Sequence, residues 1–292
     1  MNVAIAGLGR MGMPIAERIL AAGHNLTACN RTPGKAETLA GRGAEAAGAP
    51  GELLREAEVC FTVLADDAAL EEVAAGPDGI LAGARPDTIL VDMSTVSVAA
   101  SSRVAAAAGQ AGVHFLRAPV SGNPSVVQAG NLTVIVSGPP APFERVEPLI
   151  RAIGPNVYYV GDAEQARVVK LTLQVLIAGT TQLMSEALVL GEAGGVSREK
   201  LLEVMANSAV GSPFVKYKTD GLIRDDYTAT FTTSMMKKDL ELVLGLADEL
   251  GIPLPVAGEL GRLVQEAIDA GHGDLDLTSL FLQLRNRVGQ PA

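Results

Sequence analysis

The sequence predicts an α/β protein: a doubly wound, mostly parallel sheet, then an all-α domain joined to it by one long helix. Three observations predict it. Up to about residue 160, short β-rich runs alternate with Ala-rich helical runs, the pattern of a parallel sheet covered by helices. After residue 163 strand signals cease and helical ones continue. At the first strand–helix junction stand Gly7, Gly9 and Gly12, spaced as G-x-G-x-x-G.

The elements follow in order. Strands are expected at residues 3–6, 26–29, 59–64, 88–92, 113–116, 132–137 and 157–160. Helices fall between most of them, at 13–22, 34–40, 98–111 and 142–152. Crossovers between parallel neighbours are then right-handed. Residues 163–190 read as one helix with no proline and one interior glycine, Gly179. Such a helix would run about 42 Å, longer than a small domain is wide. Its apolar character reaches most of the way round, which suits a helix between domains or subunits. Further helices are expected at 198–207, 234–250, 255–270 and 277–287, with breaks at Gly194-Gly195, Gly211-Ser212-Pro213 and Gly251-Ile252-Pro253. The boundary falls near Gly161, dividing the chain into domains 1–162 and 163–292.

Composition narrows the function classes. The chain's 292 residues, 48% hydrophobic and 19% charged, can build two domains with an ample core. A net charge of -10 argues against the basic face that a nucleic-acid duplex requires. Aromatics at 3% with no Trp leave few stacking platforms for single strands. Neither feature excludes a phosphate-bearing cofactor, which helix N-termini bind locally. Cys29 and Cys60 lie in apolar runs and read as buried small hydrophobes rather than as a disulfide or reactive thiols. Scattered His and Cys residues offer no metal-ligand spacing. The apolar run at 3–6 is too short for a signal peptide, and no run reaches ~18 uninterrupted apolar residues. The longest apolar stretch carries Lys170, Gln174, Gln182 and Glu186. A soluble, cytoplasmic protein without membrane or nucleic-acid partners is expected.

The glycine triplet has a physical reading. Gly7 permits the tight turn, Gly9 lets a pyrophosphate approach the backbone, and Gly12 packs helix against strand. Leu8, Arg10 and Met11 complete the loop, whose N–H groups and helix dipole suit phosphates. This marks a Rossmann-type dinucleotide site. The next strand ends at Cys29-Asn30-Arg31-Thr32, with no acidic residue for ribose hydroxyls. Arg31, with Asn30 and Thr32, instead suits a 2′-phosphate, so NADP is expected over NAD; a solvated turn arginine is the plainer alternative. Leu64 and Ala65, and Ser94 and Thr95, lie at later strand ends, where ligands of open α/β sheets bind. Thr95 also suits capping of the following helix.

Further motifs extend the pattern: Asp92-Met93-Ser94-Thr95-Val96, Ala118-Pro119-Val120-Ser121-Gly122, Lys170, and Lys238-Asp239-Leu240. With them the whole chain resembles the β-hydroxyacid dehydrogenase family, which includes 3-hydroxyisobutyrate dehydrogenase and tartronate or succinic semialdehyde reductases. The resemblance implies hydride transfer between NADPH and a small hydroxy acid or carbonyl acid. It makes Lys170 the acid/base, a task that requires burial or a nearby cation. Without the resemblance, Lys170 reads as a snorkelling lysine. The resemblance assigns Ser121 and the Gly122 N–H, with Asn123 beside them, to a substrate-carboxylate cradle; alone, these residues read as a Pro/Gly turn. Gln174 shares a helix face with Lys170 and stands where the family usually has Asn. Lys238 reads either as the family lysine that closes over the site or as a surface charge beside Lys237.

The chain departs from the family pattern at Arg117, commonly acidic, at Asn123, commonly Gly, and at Leu173-Gln174, often two Asn residues. All lie in or beside the substrate segments, so a larger or less polar substrate is an open alternative. Two rivals remain: an imine reductase, whose branch typically replaces the lysine by Asp or Tyr, and a non-catalytic oligomeric scaffold that has lost it. Retention of Lys170, Ser121 and Gly122 favours the dehydrogenase. The long apolar helix, with the resemblance, suggests a homodimer or homotetramer.

Overall fold

A computed structural model describes residues 1–288, and the chain divides into two compact units, Met1–Lys170 and Leu171–Ala292. In the first, strands and helices alternate: β1 (Asn2–Ala6), α1 (Gly12–Ala21), β2 (Asn25–Cys29), α2 (Pro33–Ala40), β3 (Glu45–Ala46), α3 (Leu53–Glu56), β4 (Val59–Thr62), α4 (Asp67–Ala75), β5 (Ile89–Asp92), α5 (Val98–Gln110) and β6 (His114–Arg117). The six strands form a wholly parallel sheet in the order β3-β2-β1-β4-β5-β6.

The period-2 alternation of side chains explains its two cores. Val3, Ile5, Phe61 and Val91 face one layer with Ile15 and Ile19 of α1. Ala4, Cys60 and Leu90 face the other with Leu70 of α4 and Val104 of α5. Both faces are covered, so the central strands β1, β4 and β5 are apolar along most of their length. The chain leaves β1 in one direction and returns on its other side at β4. The crevice beyond the carboxyl ends of β1 and β4 is therefore the topological switch point, where such sheets bind ligands.

The later strands do not extend this sheet. β7 (Val120–Ser121), β8 (Thr133–Val136) and β9 (Asn156–Tyr159) form a separate sheet, with α6 (Pro124–Gln128) and α7 (Pro140–Ile153) between them. β7 runs antiparallel to β8, and β8 parallel to β9. An antiparallel bridge between Arg117 and Ser137 joins β6 to this part of the unit. β3 and β7 were not expected, because two residues are too few to show a period.

The second unit is helical. It comprises most of α8 (Gln165–Ala193), then α9 (Arg198–Asn207), α10 (Pro213–Ile223), α11 (Thr233–Leu250), α12 (Pro255–Ala267) and α13 (Leu280–Arg287). α10 was not expected. The Gly-Ser-Pro break is its start: Ser212 Oγ accepts the Val215 N–H at 3.2 Å, and Pro213 takes the first helical position. α11 ends on Gly251, at φ +67°, as a left-handed C-cap. The helix expected to reach residue 270 stops at Ala267 and passes into a π turn, Ile268–His272. That expected from 277 opens as a 3₁₀ turn, Leu277–Ser279.

α8 is long and apolar enough, by length and composition alone, to cross a membrane. Within its unit it carries the core along one stripe. Ala178 packs with Met236, Leu240, Leu260 and Val264, and Leu188 with Leu202, Leu222 and Phe281. The opposite stripe shows Leu176, Leu183 and Leu190, 65%, 66% and 76% exposed. The division between the compact units falls after Lys170, within α8. Polar contacts hold the first turn of α8 to the sheet unit, and they are described next.

Candidate active site

The glycine loop follows from backbone sterics. Gly7 sits at φ +95°, and a Cβ there would collide with the Val63 carbonyl oxygen. A Cβ on Gly12 would collide with the Gly7 carbonyl oxygen. Gly9 is different: nothing lies within 4 Å of its would-be Cβ. The fold itself demands Gly7 and Gly12, whereas Gly9 leaves space for something to approach. Met11, the N-cap of α1, makes no side-chain cap bond, so the first N–H groups of α1 have no side-chain acceptor there. This cradle fits a dinucleotide pyrophosphate.

The strand tips around the loop are tied to each other. Asn30, expected to contact cofactor, accepts the Leu8 N–H at 2.8 Å and donates to the Thr32 carbonyl at 3.0 Å. Its amide braces the glycine loop. Arg31 and Thr32 beside it are exposed, and Arg31 forms no ion pair among the described residues. Leu64 donates its N–H to Ser94 Oγ at 2.9 Å. Asp67 accepts the Ser97 N–H and hydroxyl at 2.8 and 2.5 Å, joining the start of α4 to the loop after β5. Ala65 and Thr95 lie in these loops. Ser97, not Thr95, caps α5, through the Ala100 N–H.

In the Ser121 segment, Gly122 has φ +146°, and an added Cβ would meet Leu132 Cδ1 at 2.9 Å and Val126 Cγ1 at 3.0 Å. Ser121 ends β7, paired with Thr133. Asn123, expected to bind substrate, caps α6: its Oδ1 accepts the Val126 N–H at 3.0 Å and the Ser125 hydroxyl at 2.7 Å. The departure at Arg117 also has a partner. Its guanidinium Nε and Nη2 both donate to Glu164 Oε1 and lie over the Phe115 ring, 4.9 Å from its centroid.

Lys170 is buried, 9% exposed, near the start of α8. One turn earlier Arg167 is 1% exposed and pairs with Asp92, which is fully buried at the end of β5. Arg167 also donates to the Ser94 carbonyl at 2.7 Å and to Ser101 Oγ at 3.2 Å. Asp92 Oδ1 accepts from Thr62 Oγ1 at 2.5 Å and Ser94 Oγ at 2.6 Å. Ser137 Oγ accepts the Ala166 N–H at 3.1 Å and donates to the Ala163 carbonyl at 2.7 Å. Sequence reasoning missed Arg167 and Glu164. The one available signal was an arginine three residues before the lysine inside an apolar run.

In the helical unit, Gln174 donates its Nε2 hydrogen to Asp239 Oδ2. Lys238 Nζ lies 3.0 Å from Asp239 Oδ1, an ion-pair approach without hydrogen-bond alignment. The 2%-exposed Asp239 thus gathers two of the polar side chains expected at the site.

Residues 2–161 match the family described as the NAD binding domain of 6-phosphogluconate dehydrogenase. Residues 165–284 match the NAD-binding domain of NADP-dependent 3-hydroxyisobutyrate dehydrogenase. An uncharacterized oxidoreductase of Bacillus subtilis, YfjR, is 34% identical over 285 residues, covering 96% of this chain and 99% of its own. Glyoxylate/succinic semialdehyde reductase 2 of Arabidopsis thaliana is 28% identical over 98% of this chain and 80% of its own. The crystal structure of 3-hydroxyisobutyrate dehydrogenase from Salmonella typhimurium superposes with TM-score 0.88 at 29% identity, covering 96% and 99% of the two chains. An imine reductase from Pseudomonas sp. shares the fold more distantly, with TM-score 0.65 at 23% identity over 97% and 99% of the chains.

Proposed function

The chain belongs to the β-hydroxyacid dehydrogenase family, and on that footing we propose that it moves a hydride between NADPH and a small β-hydroxy acid or its semialdehyde. Family membership makes it an NAD(P)-dependent oxidoreductase acting on CH–OH. One observation carries the finer reading: Lys170 is buried, on the same stripe of α8 as Gln174. In reduction the Lys170 ammonium donates its proton to the carbonyl oxygen; in oxidation the amine accepts the hydroxyl proton. When bound, the nicotinamide supplies or accepts the hydride. The Ser121 hydroxyl and the Gly122 N–H hold the substrate carboxylate without a buried cation. Within the helical unit, Gln174 and Lys238 are both set by Asp239.

NADP is favoured over NAD because the end of β2 offers an exposed Arg31 and no carboxylate. Arg117, Asn123 and Gln174 each make an intramolecular bond, so they alter the framework rather than adding reactive groups. Lys170 with Ser121 and Gly122 favours carbonyl over imine reduction.

The test is consumption of NADPH and NADH against semialdehydes, glyoxylate and cyclic imines, with Lys170→Ala beside the parent. Semialdehyde turnover that collapses in the variant supports the reading. Turnover of imines alone, or turnover indifferent to the mutation, overturns it, and no turnover anywhere favours the scaffold. A homodimer or homotetramer is also proposed. Leu176, Leu183 and Leu190, seven residues apart, form an exposed apolar row on α8, which a second copy would cover. A monomeric mass by light scattering at micromolar concentration would sink this.

A further inference from the structure

We propose that the part-buried ion pair Arg117–Glu164 and the buried pair Asp92–Arg167 are positioning devices that seat the start of α8 on the sheet and so place Lys170. The proposal rests on the acid/base reading of that lysine. Three strand ends converge on one helical turn. β5 supplies Asp92 to Arg167, β6 supplies Arg117 to Glu164, and Ser137, just after β8, bridges Ala163 and Ala166. Glu164 is the N-cap: its carbonyl accepts the Arg167 and Val168 N–H groups at 2.9 and 3.2 Å. Its carboxylate also lies at the positive end of the helix dipole. Lys170 follows Arg167 by three residues, about 4.5 Å along the axis.

The chemistry of the pairs favours geometry over stability. Buried ion pairs add little net stability, because desolvation offsets attraction. The Arg117 fork places both its donors on Glu164 Oε1, while Oε2 is buried with no hydrogen-bond partner among the described residues. A pair present for stability would satisfy both oxygens. What a rigid guanidinium fork does supply is direction. A helix turns about 100° per residue, so a small rotation at its first turn would carry the lysine off its face. Misplacement by about 1 Å can cost a hundredfold in rate.

The experiment uses the full chain with three single variants, Glu164→Gln, which keeps shape and removes charge, Arg117→Met, and Arg117→Lys, which keeps charge and loses the fork, and with the double variant of the first two. For each, kcat and KM are measured on the best carbonyl acid of the panel, NADPH affinity by cofactor fluorescence, and hydrogen exchange across residues 164–173. The expected result is a kcat lowered about tenfold or more in Glu164→Gln and Arg117→Met, with NADPH affinity within about twofold. Exchange at the start of α8 should be faster in both, their double variant no worse than either alone, and Arg117→Lys intermediate. An unchanged kcat despite lowered melting temperature would make the pairs structural only and overturn the proposal; so would unchanged exchange. Full activity in Lys170→Ala would instead overturn the acid/base reading, and exchange would still decide whether the pairs seat the helix.

Discussion

The glycine loop after β1 and the first turn of α8 both present chemistry at one edge of the same unit, but opposite forces shape them. The loop is set by sterics: Gly7 and Gly12 exclude any side chain, and Gly9 leaves room for a ligand. The α8 turn is set by charge pairing, buried between Asp92 and Arg167 and part-buried between Arg117 and Glu164. Sterics act between residues close in sequence. The charge pairs reach 75 and 47 residues along the chain. One kind of feature therefore tolerates no added methyl, and the other no missing partner.

The sharpest break in this comparison is at Arg167. Arg167→Met leaves Asp92 charged and buried without its guanidinium, and should destabilise the protein by about 3–5 kcal/mol, read as a lowered urea midpoint. A loss below about 1 kcal/mol would mean that Asp92 is satisfied without it. Next comes the loop. Gly12→Ala should cost about 3 kcal/mol through overpacking against backbone, whereas Gly9→Ala should stay within about 0.5 kcal/mol of the parent and yet weaken NADPH binding. Equal melting losses in the two variants would erase the distinction between fold-required and ligand-facing glycines. Smaller again is Arg31→Ala. Loss of a charge-assisted bond to the 2′-phosphate, about 1.5–3 kcal/mol, should lower NADPH affinity at least tenfold and leave NADH unchanged. Equal weakening of both cofactors would refute the reading of Arg31.

The smallest effect is expected in acid. In the helical unit Asp276 accepts Lys218 Nζ at 2.7 Å, and the Thr230 and Thr278 N–H groups at 3.0 and 3.1 Å. Burial raises its carboxyl, but the Lys218 ammonium and these hydrogen bonds outweigh that and hold it below the usual carboxylate range. Lys218 is also lowered, because burial outweighs the pull of Asp276. The carboxylate gathers more donors, so its direction governs the acid limb. Below the ordinary carboxylate pKa the unfolded chain binds a proton that folded Asp276 does not. Stability should thus fall as pH drops through that range, and Asp276→Asn should flatten the fall. An acid limb of the same slope in the variant would assign it to other carboxylates.

Much of the fold was legible in sequence because its signals are local. The apolar runs at 3–6 and 59–64 became β1 and β4, and the glycine spacing marked the loop between β1 and α1. Features without a local signal were missed. β7 is two residues long, and α10 hid behind a Gly-Ser-Pro triplet that both ends one segment and starts the next. At the candidate site, sequence flagged Asn30, Asn123, Gln174 and Arg117 by type and place. It could not tell that Asn30 braces the loop, that Asn123 caps α6, or that Arg117 meets Glu164. A polar side chain's role depends on which donor or acceptor lies within about 3 Å, and that neighbour is usually remote in the chain.

By itself the sequence determined the alternation of elements, the glycine loop at the switch point, and the family motifs that single out Lys170. Each depends on backbone sterics, hydrophobic period or residue type, which are properties of short segments. Only the tertiary structure decided that the later strands form their own sheet. It alone paired Arg167 with Asp92 and Arg117 with Glu164, and set Gln174 against Asp239. The reason is physical: a buried charge or amide is stable only beside its complement, and only folding brings the two together.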